Sequence, residues 1–127
     1  MEIIFNEAEA QFPKVILDKD NNKFEISGQS IPEDVVSFYA PILDWLDNYI
    51  QNPNENTEVA LKMVYYNTSS SKMIYEIIKR LNDLYKNKHA AKILWYYAID
   101  DEDMEEAGRK YEEMFKVPFE FIGYDPD

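Results

Sequence analysis

Six consecutive residues, Asn67-Thr68-Ser69-Ser70-Ser71-Lys72, set four hydroxyl side chains between an amide and an ammonium group. Hydroxyls in such a run offer three chemistries: they cap helix N-termini, they accept phosphate, and beside a base they act as nucleophiles. The flanking sequence places the run where an apolar strand hands over to an amphipathic helix. There, unpaired backbone N–H groups and the positive end of the macrodipole favour capping oxygens and tolerate an added phosphate. Thr68 or Ser69 is positioned to cap this helix, with the other hydroxyls in its first turn. Capping and reversible phosphorylation are compatible uses of the same residues.

A nucleophilic serine requires more than the chain supplies. The one histidine, His89, falls at the far end of the following helix, and no Gly-x-Ser-x-Gly elbow surrounds the serines. His89 therefore reads as a surface residue of a helix-terminal turn, and no catalytic residue is assigned. The glycines, Gly28, Gly108 and Gly123, do not open a phosphate-cradling loop. Asp18-Lys19-Asp20-Asn21-Asn22 begins like a calcium loop, but Lys23 and Gln29 stand where glycine and a bidentate glutamate are needed, so it reads as a turn. Asp100, Asp101, Glu102 and Asp103, followed by Glu105 and Glu106, suit a solvated helix start and form a candidate acidic partner surface. No metal or cofactor is assigned. Phe38, Tyr39, Trp45, Trp95, Tyr96 and Tyr97 read mainly as core. A small-ligand binding module built from aromatic residues and the acidic Asp100–Glu106 segment is the alternative function.

The elements that must position these residues follow from periodicity. Glu2–Asn6, Lys14–Asp18 and Lys23–Ser27 read as short strands, the last two forming an N-terminal β-hairpin around the Asp18–Asn22 turn. From Pro32, the residues Val35, Val36, Tyr39, Ile42, Leu43, Leu46, Tyr49 and Ile50 mark one face of a helix. Ser30 is its expected cap, Glu33 completes a capping box, and Pro41 is expected to kink or break it. Thr57–Tyr66 alternates Val59, Leu61, Met63 and Tyr65 against Ala60, Lys62, Val64 and Tyr66, as a central strand with one apolar face. Met73, Ile74, Ile77, Ile78, Leu81 and Leu84 stripe the next helix, which ends near Lys86–Lys88. Ala91–Ala98 reads as a covered strand, and Asp100–Lys116 as a helix with Met104, Ala107, Gly108, Tyr111, Met114 and Phe115 on one side. Val117-Pro118 stops that helix before a last strand at Phe119–Gly123. Strands alternating with helices require crossovers, so the fold class is α/β, or α+β, with a mixed sheet and about three amphipathic helices.

Composition narrows the function. A chain of 127 residues is the size of one domain, taken as 1–127, and can bury a core without covalent staples. The absence of cysteine excludes disulfides and thiolate chemistry. A formal charge of −12 argues against nucleic acid, whose phosphates need clustered Lys and Arg. With 46% hydrophobic and 15% aromatic residues the chain should fold rather than remain disordered. Neither a basic leader with a long apolar run nor a stretch approaching roughly 18 apolar residues is visible, and the expectation is a cytoplasmic protein without membrane insertion.

Several segments together resemble one family. Ile26-Ser27-Gly28-Gln29-Ser30-Ile31-Pro32-Glu33, Phe38-Tyr39-Ala40-Pro41-Ile42-Leu43-Asp44-Trp45-Leu46 and Tyr66-Asn67-Thr68-Ser69-Ser70-Ser71-Lys72 are similar to the bacterial SiaC-like regulatory phosphoproteins. The acidic block from Trp95 to Gly108 and the ending Val117-Pro118-Phe119-Glu120-Phe121 match as well, so the resemblance spans nearly the whole chain. It implies a domain similar to STAS proteins and anti-sigma-factor antagonists. It further implies a non-enzymatic partner switch in which a dedicated kinase and a PP2C-type phosphatase act on Thr68. In such a switch the unphosphorylated form binds and activates a diguanylate cyclase, raising cyclic di-GMP and favouring aggregation and biofilm formation. Sequence alone leaves open whether Lys72 or the Asp100 cluster stands nearer to a phosphate on Thr68.

Overall fold

The computed structural model describes residues Met1–Asp127. The elements run β1 (Ile4–Asn6), β2 (Lys14–Asp18), β3 (Lys23–Ser30), α1 (Val35–Tyr49), β4 (Asn56–Tyr66), α2 (Thr68–Lys86), β5 (Ala90–Ala98), α3 (Glu102–Met114) and β6 (Phe119–Tyr124). All six strands form one sheet whose spatial order is the chain order. β1, β2 and β3 pair antiparallel, and β3 to β6 pair parallel. The three helical crossovers therefore step in one direction. With right-handed connections, this puts α1, α2 and α3 on the same face of the sheet.

Burial follows that layering. Val15, Leu17, Phe24, Ile26, Val59, Leu61, Met63, Ile93 and Trp95 point under the helices and join Tyr39, Ile42, Leu46, Ile74, Ile77, Ile78 and Leu81 in one core. Each large apolar side chain so removed from water contributes about 1.5–3 kcal/mol before the opposing entropy is counted. Trp45 stacks on Tyr49 with ring centroids 5.4 Å apart. The opposite face carries no helix and is dressed by ion pairs, Lys62 with Glu25 at 3.4 Å and Lys92 with Glu120 at 3.2 Å. Buried polar groups are satisfied: Trp95 Nε1 donates to Met104 O at 2.9 Å, and Asn82 Oδ1 accepts from the N–H groups of Lys116 and Val117.

Four local expectations are corrected. Asp34, not Ser30, caps α1, its carboxylate accepting from Ser37 N at 3.1 Å and Ser37 Oγ at 2.7 Å, while Ser30 ends β3 inside the core. The helix runs unbroken through Pro41, because Ser37 and Pro41 lie on its exposed side, where water can satisfy the carbonyl that loses its partner. Val36 and Met114, placed on apolar stripes by spacing, are 62% and 60% exposed. Finally, β4 contains a bulge. Met63 pairs with Gly28 but Tyr65 with Gln29, so Val64 is the extra residue and the alternation inverts after it. Tyr65 consequently faces solvent and Tyr66 turns under the helices, the reverse of the simple period-two reading.

Candidate functional site

The C-terminal ends of β3, β4 and β5 feed the N-termini of α1, α2 and α3 along one rim of the sheet. At the centre of that rim Tyr66 ends β4, and Asn67, in extended conformation, caps α2. Asn67 Oδ1 accepts from Ser70 N at 2.9 Å and from Ser69 Oγ at 3.1 Å. Neither Thr68 nor Ser69 is the cap. Asparagine competes as well as serine for that position, and here it directly follows the strand.

The four hydroxyls have separate fates. Ser70 is fully buried, and its hydroxyl donates to Ser30 O at 3.0 Å. Ser30 Oγ lies 2.9 Å from Ser70 Oγ and 2.6 Å from the Tyr39 hydroxyl. A hydroxyl has one proton, so with Ser70 donating to the carbonyl, Ser30 donates to Ser70 and Tyr39 donates to Ser30. Burial pushes the Tyr39 hydroxyl above its ordinary value, which keeps that donor protonated. Ser71 Oγ donates to Thr68 O at 2.6 Å, and Ser71 O accepts from the Tyr111 hydroxyl at 2.8 Å. Thr68, the first residue of α2, is exposed, and its hydroxyl alone among the four has no hydrogen-bond partner in the protein.

Lys72 is exposed one helical turn beyond Thr68 and forms no ion pair. The acid one turn further on, Glu76, is held by Arg80 at 2.9 Å. Lys72 also borders an open groove of about 580 Å³ between α2 and α3, whose walls include Tyr66, Tyr75, Tyr111 and Met114. Burial raises the Tyr66 and Tyr111 hydroxyls above their ordinary range.

The acidic segment divides. Asp101 caps α3, accepting from Met104 N at 3.0 Å, whereas Asp100, Glu102 and Asp103 are exposed without ion pairs. β4 and β5 are neighbours, so this segment lies on the same rim as Thr68. His89 is exposed in the turn after α2. No three His, Asp or Glu side chains gather in a metal-binding arrangement.

Sequence reasoning missed the Ser30–Tyr39–Ser70 network and the α2–α3 groove. Apolar residues off the stripe, Tyr75 above all, were the available signal for the groove. Nothing local announces a contact between residues forty positions apart.

A family model described as SiaC family regulatory phosphoprotein matches residues 6–124. An uncharacterized protein of Pseudomonas aeruginosa (strain UCBPP-PA14) is 23% identical over 113 residues, covering 89% of this chain and 90% of that protein. The crystal structure of apo-SiaC from Pseudomonas aeruginosa superposes with a TM-score of 0.87 at 21% identity, over 96% of this chain and 99% of that one. A chain in the crystal structure of diguanylate cyclase SiaD in complex with its activator SiaC, from the same organism, gives a TM-score of 0.90 at 21% identity. That match covers 95% and 99% of the two chains. At these identities the structural likeness establishes the shared mixed sheet with its three helices.

Proposed function

This chain belongs to the SiaC family of regulatory phosphoproteins, and we propose on that premise that it is a non-catalytic adaptor switched by phosphorylation of Thr68. The observation that carries the assignment is the solitary Thr68 hydroxyl, exposed and without a hydrogen-bond partner, at the first position of α2. Ser70 is sealed in the core, and Ser69 and Ser71 donate to neighbouring oxygens, so a kinase meets least resistance at Thr68. A phosphate there adds up to about two negative charges next to the positive end of a helix. Such a group leaves the helix folded while changing the charge and bulk of the rim that a partner must desolvate.

The effector in this reading is a diguanylate cyclase, activated by the unphosphorylated form in the cytoplasm, as the activator role in the SiaD–SiaC complex suggests. A cognate kinase and a PP2C-type phosphatase set the state of Thr68. The exposed acids Asp100, Glu102 and Asp103, beside Thr68 on the rim, offer basic partners a complementary surface. The test is to treat the protein with its kinase and ATP, map the phosphosite by mass spectrometry, and assay cyclase activation by both forms. Label confined to residues other than Thr68, or equal activation by the two forms, overturns the proposal. The α2–α3 groove gives the small-ligand alternative its one physical support. The groove is open to solvent rather than enclosed, and this together with the solvent-facing Thr68 favours the adaptor.

A further inference from the structure

We infer that Lys72 is the intramolecular counter-ion of a phosphate on Thr68; this rests on the phosphoregulatory reading above and adds to it the group that receives the charge. Thr68 and Lys72 stand four residues apart on α2, both exposed, which puts their side chains on one face of the helix about 5–6 Å apart at Cβ. The order, anion toward the N-terminus and lysine one turn on, is the favourable one for such a pair. Lys72 is also uncommitted. Its natural helical partner, Glu76, is engaged by Arg80 through a 2.9 Å ion pair, and the same guanidinium donates to the Glu76 carbonyl.

The surroundings single out this lysine. Among the first seven residues of α1, α2 and α3, which share the rim, Lys72 is the one cation. Every other charged group in these helix starts and in the loops leading to them is acidic: Glu33 and Asp34 before α1, and Asp100, Asp101, Glu102, Asp103, Glu105 and Glu106 at α3. Glu7 and Glu9, in the connection between β1 and β2, approach the rim too, since that connection bonds to the residues at the end of β3 through Gln11 and Ala10. A dianion placed among these acids is repelled, and Lys72 is the uncommitted group in position to offset the repulsion, since Lys110 on the α3 side of the groove is paired with Glu106 at 3.7 Å.

The experiment uses full-length protein with phosphothreonine incorporated at position 68 during translation, so that no kinase is needed. The second pKa of the phosphate is followed by phosphorus NMR at low salt. Lys72→Gln should raise it by about 0.3 unit, as expected from losing one helical i,i+4 charge pair. Lys72→Arg should restore the original value, and molar salt should shrink the difference. Equal pKa values for the parent phosphoprotein and its Lys72→Gln variant at low salt overturn the inference. If the pKa shifts as expected while the kinase modifies another residue, the pairing stands and the kinase-site assignment falls.

Discussion

The side-chain oxygens of Ser30 and Ser70 lie 2.9 Å apart across forty residues of sequence, joining the last residue of β3 to the first turn of α2. Ser30 O also accepts from Asn67 N at 3.2 Å. Together with the bond from Ser70 Oγ to Ser30 O, three hydrogen bonds to the neighbouring strand fasten the helix start from below, and Thr68 is displayed on a fixed platform.

Alanine substitutions along the run should separate platform from display. Ser70→Ala leaves the buried Ser30 hydroxyl proton without an acceptor and removes one of two donors to Ser30 O, and should destabilise by about 1–3 kcal/mol. Asn67→Ala removes the cap and should cost about 1 kcal/mol. Thr68→Ala touches neither and should stay within about 0.5 kcal/mol of the parent. Urea denaturation of the three variants checks the order.

In signalling assays Thr68→Ala should activate the cyclase as the unphosphorylated parent does and no longer respond to the kinase. Thr68→Asp should lower activation only partway, because one carboxylate poorly copies a doubly charged phosphate. Kinase-dependent loss of activation by Thr68→Ala would place the switch elsewhere.

The fold was legible where burial imposes a period. Every strand and helix expected from the sequence is present, and the mixed sheet follows from their order. The capping errors fall where two groups compete for one local role. Ser30, Thr68 and Asp34 all carry capping oxygens, and whether Ser30 belongs to a strand or a helix start is decided by Tyr39 and Ser70, which sequence proximity does not reveal. The hydroxyl run was visible as chemistry, but its division into one free and three engaged hydroxyls needed the structure's contacts.

Gly108 faces Trp95 so closely that an added Cβ would fall 2.5 Å from Trp95 Nε1 and 2.7 Å from Phe121 Cε2. Both neighbours are rings, and Trp95 is fixed by its bond to Met104 O. Gly108→Ala should therefore destabilise by about 1–3 kcal/mol despite its better helix propensity, with a matching fall in the denaturation midpoint.

At the other end of α2, Lys88 adopts φ +70°, and the N–H groups of Lys88 and His89 bond to Tyr85 O and Leu84 O. This is a Schellman turn, in which glycine is favoured at the left-handed position. Lys88→Gly should stabilise the protein by up to about 1 kcal/mol, the relief of left-handed strain outweighing glycine's entropy. Thermal unfolding measures it.

Acid should loosen α1 in a way that one residue explains. The Asp34 carboxyl is held below its usual range by the Ser37 hydroxyl and then by the Ser37 backbone N–H. A folded-state value below the unfolded one contributes stability that is complete above about pH 4 and lost as pH falls through the folded value. Asp34→Asn keeps a capping oxygen but does not titrate, so its stability, followed by urea denaturation across that window, should vary less with pH.

The extra residue in β4 acts as a phase inverter between two readings of one strand. Upstream of Val64, odd-numbered side chains serve the core; downstream, the even-numbered Tyr66 does, and Thr68 opens the next helix two positions later. A one-residue deletion at Val64 would remove the bulge and restore plain alternation, with Tyr65 still opposite Gln29 and Tyr66 still opposite Ser30. Tyr66 would then follow inward-facing Met63 by two positions, and it and the hydroxyl run would keep their places. Val64 is in this light a spacer that shifts the count of the strand by one, while the Ser30 contacts set which hydroxyl faces outward.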